Sequence, residues 1–291
     1  MDSSKITSAV IDAINSLFGN VFSSIDNSIF DTLDKITFID SDILKGSHLE
    51  EIYGINPSNG FLLIANALLI GFVLYYSIRL ILSNFAIAQA ESPYIFIFKA
   101  IFFGVCMNFS YFLCDQILYL NFELCTAIRQ VGEDIFNTEM CFANLIEKVN
   151  SVVYVEENSL NVFSIDGIIK STISFGFFNL IFSYSIRYIL VKVFILISPF
   201  AILSLCITQT SSFFKSWIKC LLSLLFIQDF AAITLILIYS IKLSSNDLLS
   251  KFLFVSCIFV LIKANSYVRE FMGGLSTEFQ NGISSIKSMM K

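Results

Sequence analysis

The chain has 291 residues, 56% of them hydrophobic and 14% charged, with a formal net charge of −5 and a mean hydropathy of +0.78. Soluble domains carry roughly a quarter charged residues, so this composition excludes an ordinary soluble enzyme. With 32 Phe and 3 Pro it also excludes a disordered chain, and the negative charge excludes a nucleic-acid binder that works by charge attraction. What remains is a polytopic membrane protein.

The N-terminal stretch reads as an amphipathic helix. Ile6, Val10, Ala13, Leu17, Val21, Ile25, Ile29 and Leu33 recur at three- and four-residue steps, with Asp, Asn and Ser filling much of the rest. Its polar face is acidic and almost free of lysine, which argues against binding anionic lipid. No basic region precedes a continuous apolar run, so it does not read as a cleavable signal peptide. The helix either covers its own membrane domain or serves as an association helix outside the membrane. Residues 1–59 are therefore expected to form an extracytoplasmic helix and linker.

Membrane-spanning helices need about 20 mostly apolar residues. Residues 60–82 supply the first span and 94–120 the second, with Lys99 near its start. A loop at 121–170 follows, too long for a mere connector. In it Phe122, Cys125, Ile128, Val131 and Ile135 suggest that the helix continues past span two, while 151–155 is β-prone and Glu156, Glu157 and Asn158 look like a turn. Residues 173–200 form the third span, with Arg187 and Lys192 inside it, and apolar character continues past Pro199 to about Ile207. Pro199 is expected to kink or end that span, leaving a bent extension; a six-span reading, with a turn there, is the alternative. Residues 217–241 form the fourth span. Residues 252–267, with Lys263 near the end, form a shorter fifth, and 271–291 a tail. The fold class is all-α: about five transmembrane helices, grouped as 60–120 and 171–270, plus the N-terminal amphipathic helix.

Basic residues orient the chain. Arg79 and Lys99 bracket the first short turn, Lys215 and Lys219 lie at the next, and Lys263, Arg269, Lys287 and Lys291 mark the C-terminal flank. Five spans put all of these on one side, the cytoplasmic one by the positive-inside rule. The N-terminus and the 121–170 loop then lie outside.

No catalytic constellation is visible, and neither enzyme activity nor a cofactor or metal is expected. The seven cysteines (106, 114, 125, 141, 206, 220, 257) contain no CxxC pair, His48 is the only histidine, and neither a P-loop nor a GxSxG elbow occurs. Charges at mid-membrane are costly and mark function or pairing. Arg187 and Asp229 fall about 16 and 18 Å from the same end of spans three and four. They are read as an ion pair, or else Arg187, Lys192, Gln209 and Gln228 line a translocation path. The turn with Gln209, Lys215, Trp217 and Lys219 is a candidate docking surface, though Trp217 also fits an interfacial anchor. Cys125 and Cys141 lie in the outside loop, where a disulfide persists in oxidising surroundings and would contribute about 3 kcal/mol; the other reading is two buried thiols.

The order of features resembles a known family. The outside amphipathic N-terminus precedes a span ending near Ile78 and Arg79, and Phe96, Ile97, Phe98, Lys99 and Ala100 open the next. Leu196, Ile197, Ser198, Pro199 and Phe200 precede a Thr/Ser-rich turn. Phe214, Lys215, Ser216 and Trp217 follow, then Leu225, Phe226, Ile227 and Gln228 in span four. Over about residues 1–275 this pattern resembles the TrbL-type polytopic subunit of conjugative type IV secretion systems, in its short Gram-positive form. The resemblance implies a channel or scaffold subunit in the cytoplasmic membrane that assists transfer of DNA and attached protein. It also implies contact with other subunits, including the machine's ATPases, self-association in the lipid bilayer, and transient contact with nucleic acid. A small secondary transporter or permease is the alternative; a holin-like or immunity protein is a third.

Overall fold

A computed structural model describes residues 27–44, 47–54, 60–85, 92–145, 165–241 and 248–272. The expectations for residues 6–26, for 151–158 and for the tail beyond 272 lie outside the described residues. Those described are helical, with no strand among them. In chain order they form α1 (Asn27–Thr37), a 3₁₀ turn (Ser41–Ile43), α2 (Ser47–Tyr53), α3 (Phe61–Asn84), α4 (Pro93–Asn108) and α5 (Ser110–Phe136). Next come α6 (Ile165–Leu203), a 3₁₀ turn (Ser204–Cys206), α7 (Ser211–Ser240) and α8 (Leu248–Met272). Four of these stretches are long and apolar enough to cross a bilayer, and the bent pair α4–α5 makes a fifth. The chain is an all-α polytopic membrane protein.

The core is a bundle with α7 at its centre, packed on α5, α6 and α8. Leu221, Leu224, Leu225, Ile227, Ala231, Leu235 and Ile238 of α7 are buried along its length. Small residues let the helices close up, as expected where lipid offers no hydrophobic contrast. A Cβ added at Gly176 of α6 would stand 2.9 Å from Ile258 Cγ2 of α8, and one at Gly132 of α5 would stand 2.8 Å from Ile236 Cγ1 of α7. Asn265 of α8 donates to Ser183 Oγ of α6.

The second expected span is not one straight helix. It breaks at Phe109 (φ −93°, ψ 6°), and α5 departs from α4 by 60°. Polar side chains on both sides of the break bond backbone carbonyls of the last turn of α4: Asn108 Nδ2 reaches Gly104 O at 2.8 Å and Ser110 Oγ donates to Met107 O. Such competition with the backbone ladder bends helices. Beyond the break the helix continues past residue 121, as its apolar periodicity predicts, and ends at Asn137 in a left-handed cap (φ 51°). Pro199 does not end α6. It forfeits one backbone hydrogen bond, yet the helix runs on to Leu203 and tightens into the 3₁₀ turn, so the chain makes no reversal at Pro199 and the six-span reading falls.

α3 and α4 form an antiparallel arm. Tyr76 stacks on Phe96 with centroids 3.7 Å apart, and Asn66 and Asn108 exchange amide hydrogen bonds at 3.3 and 3.4 Å. The arm meets the bundle at the end of α6, where Phe61 packs edge-on against Phe200 and Met107 joins Ile202, Leu203 and Cys206. Most of its apolar surface stays open: Ile70, Leu74, Ile78, Phe98, Ile101 and Phe102 are all more than half exposed.

Where it is described, the N-terminal segment packs into the bundle. Leu33, Phe38, Ile39, Ile43 and Leu44 are buried in the bundle core. Farther along, Tyr111 OH donates to Leu44 O at 2.8 Å, and Tyr53 OH hydrogen-bonds Ser110 Oγ. Of the apolar stripe read from the sequence, Leu33 is the residue whose burial is described, and it packs into the chain's own bundle.

Candidate functional site

Arg187 lies halfway along α6 and is fully enclosed. A guanidinium in an apolar bundle needs acceptors for its N–H groups. Arg187 finds three: Nε donates to Leu224 O at 2.6 Å, Nη1 to Thr37 O at 2.7 Å and Nη2 to Gln228 Oε1 at 2.9 Å. Two of these follow from helix geometry. α1 ends at Thr37, so its last carbonyls lack intrahelical donors and carry the negative end of the helix dipole, which a cation satisfies. Gln228 Oε1 also accepts the Ile39 N–H at 3.1 Å, the first free amide beyond that helix end. Arg187 Cζ stands 5.8 Å from the Tyr184 ring centroid.

A second set of contacts holds the same segment from the other side. Both carboxylate oxygens of Asp34 accept the Phe142 N–H, at 3.0 and 3.1 Å. Arg129 lies 4.5 Å above the Phe38 ring and donates through Nε to Met140 O at 2.9 Å. Tyr239 OH at the end of α7 donates to Cys141 O at 3.2 Å. Residues 33–44 are therefore gripped between α6–α7 and the 129–145 region.

Of the intramembrane residues singled out from the sequence, Arg187 and Gln228 come together and the others do not. The expected ion pair with Asp229 is absent: all three hydrogen bonds of Arg187 go elsewhere. Depth is matched, but successive residues on a helix point about 100° apart, so Gln228 reaches Arg187 while the Asp229 carboxylate makes no hydrogen bond to it. Asp229 is buried, and its two carboxylate oxygens have no hydrogen-bond partner among the described residues; Gln228 Nε2, Thr37 Oγ1 and Tyr184 OH share that condition. Lys192 folds over Tyr188, Nζ 4.7 Å from the ring centroid, and Gln209 accepts from Arg79 Nη1 at 3.2 Å, so neither joins Arg187 in a path.

In the docking turn, Gln209, Lys215 and Lys219 are exposed. Trp217 is buried, its indole N–H on Phe194 O at 2.8 Å, so its ring is not part of the exposed surface of that turn. Cys125 and Cys141 are free thiols. Cys125 faces α7 and donates to Gln228 O at 3.7 Å, while Cys141 Sγ accepts the Asn144 N–H at 3.4 Å, so the two point at different elements and no bridge forms. Burial pushes the Cys141 thiol above its ordinary range. Among the described residues no three His, Cys, Asp or Glu side chains group to hold a metal.

Sequence reasoning missed Thr37, Ile39 and Leu224, which act through backbone atoms and leave no side-chain signature. It also missed Asp34, whose partner lies 108 residues away, and Arg129, whose partner lies 11 residues away. The centre is thus a sealed polar knot that joins the N-terminal segment to two membrane helices. No protein-family model, curated protein or solved structure matches the chain.

Proposed function

We propose that this chain is a structural membrane subunit, a scaffold or channel wall, of a conjugative type IV secretion system. It would assist passage of DNA and attached protein across the cytoplasmic membrane, with ATPases of the same machine supplying energy. The α3–α4 arm carries the reading. Ala65 is the only buried residue among the 24 of α3, so α3 leaves most of its apolar surface open. Such a surface, on the side of the arm turned from the bundle, suits contact with lipid and with neighbouring subunits, here further copies of the chain and other components of the machine.

The sealed centre weighs against a small secondary transporter, which would present polar groups to substrate at mid-depth; Arg187 there is fully enclosed and committed to protein acceptors. The positive-inside rule favours a cytoplasmic position for the turns near Arg79, Lys99, Lys215 and Lys219, with the N-terminus outside. The test is deletion of the gene in a host that carries the conjugative element. Transfer should fall to background and return with a plasmid-borne copy, and a tagged chain should co-purify with an ATPase of the machine after crosslinking. Undiminished transfer, with loss of uptake of a solute instead, would sink the reading in favour of a transporter.

A further inference from the structure

Four of the cations among the described residues flank the place where the arm meets the turn before α7. Among the described residues none between 61 and 114, and none between 171 and 228, is acidic, while these stretches carry Arg79, Lys99, Lys215 and Lys219. The fold brings the four together. Arg79 donates to Gln209 at the turn before α7, and Lys99 on α4 lies close to Cys206 in the 3₁₀ turn. Phe214 packs into the cluster that joins the arm to that turn, which brings the first turn of α7, with the exposed Lys215, close to the arm. Lys219 follows one helical turn later, on the same face. Beside these charges the arm exposes aliphatic side chains, among them Ile78, Ile81 and Ile101, each at least 58% exposed.

We propose that this basic end, where arm and bundle meet, binds an anionic phospholipid, its phosphate on Arg79, Lys99, Lys215 and Lys219 and its acyl chains along α3 and α4. Basic recesses between membrane helices select anionic headgroups, and a polybasic cluster concentrates them. The aliphatic neighbours favour lipid over a nucleic-acid strand, whose solvated backbone gains nothing from Ile78 or Ile81. The proposal is independent of any role in conjugation.

Trp217, the only tryptophan, stands two residues from Lys215 and serves as the reporter. The full chain in mixed micelles is titrated with brominated phosphatidylglycerol or brominated phosphatidylcholine, and quenching is followed. The anionic lipid should quench at lower mole fraction. That preference should shrink roughly fivefold for each cation removed in Lys215→Gln and in Lys219→Gln, and persist in Lys215→Arg/Lys219→Arg. Equal quenching by the two lipids, or an unchanged preference in Lys215→Gln/Lys219→Gln, overturns the proposal. Displacement of the anionic lipid by millimolar inorganic phosphate or by a short single-stranded oligonucleotide overturns it as well, because the site would then belong to a soluble anion or to nucleic acid.

Discussion

The partner of Arg187 is the point at which the structure departs most usefully from the pattern of charges in the sequence, and it sets an ordering of mutant stabilities. In Gln228→Leu the guanidinium loses the acceptor of Nη2 and Ile39 loses the acceptor of its amide, both buried. Each orphaned donor costs about 1–3 kcal/mol, more on a charged group, so the loss should reach roughly 3–5 kcal/mol. Arg187→Met removes the charge with its demand. Leu224 O lies inside α7, Gln228 Oε1 keeps the Ile39 N–H, and only Thr37 O is stranded, which limits the loss to about 1–3 kcal/mol. The double variant should lose about 1–3 kcal/mol less than the sum of the two, the signature of a direct bond. Asp229→Asn removes no hydrogen bond and should leave stability unchanged or raised. The assay is reversible unfolding in mixed micelles, titrated with dodecyl sulfate and followed by far-ultraviolet circular dichroism. Additive losses in the double variant, or Asp229→Asn proving worse than Gln228→Leu, would refute the reasoning and restore the Arg187–Asp229 pair.

Three further outcomes follow from the packing. Trp217→Phe should lose the bond to Phe194 O and cost about 1 kcal/mol, while Trp217→Ala should cost about 3–5 kcal/mol by the same unfolding assay; losses near zero for both would return Trp217 to the surface. Under native conditions Cys125 should resist maleimide, and Cys141 should react more slowly than an ordinary thiol, because its raised pKa leaves less thiolate at neutral pH; its rate should climb as pH rises toward that raised value. Mass spectrometry reads both rates, and an intact mass short by a hydrogen pair would mean a bridge. Gly176→Leu drives a side chain into the stiff, β-branched Ile258 and should destabilise by about 1–3 kcal/mol, whereas Gly71→Leu, which meets nothing within 4 Å, should be tolerated. Equal effects at the two glycines would remove the close contact of α6 and α8.

What the sequence shows plainly is what depends on composition along one helix. Span positions follow from the length of apolar runs, and Arg187 and Gln228 stand out because polar groups are rare at such depth. The continuation of α5 to Phe136 is legible in the spacing of Cys125, Ile128 and Ile135. Helix rotation is not legible. Gln228 and Asp229 are adjacent and both buried, and only packing against α5 and α6 decides which one bonds Arg187; the stronger charge draws the eye to the wrong one. The break at Phe109 is hidden because it depends on how Asn108 and Ser110 use their side chains within an otherwise apolar run. Pro199 misleads in the opposite sense, since a single lost hydrogen bond does not outweigh the packing of Ile195, Ala201 and Leu203.

The position of residues 37–44 explains why the centre of the bundle is polar at all. Backbone that is not helical has free amides and carbonyls, and at membrane depth these are tolerated only when protein satisfies them. Here the chain leaves α1 at Thr37 and does not turn helical again until Ser41. Arg187 caps the carbonyl on one side of that gap, and Gln228 accepts the amide on the other. The polar pair is therefore matched to the backbone it holds, and the bundle interior is filled by the chain's own N-terminal segment. A bundle closed in this way has no room along its axis for a polymer. In the proposed machine the conduit would accordingly lie between subunits, bounded by the outer faces of the bundles and the α3–α4 arms, and Arg187 would serve to keep each wall unit closed.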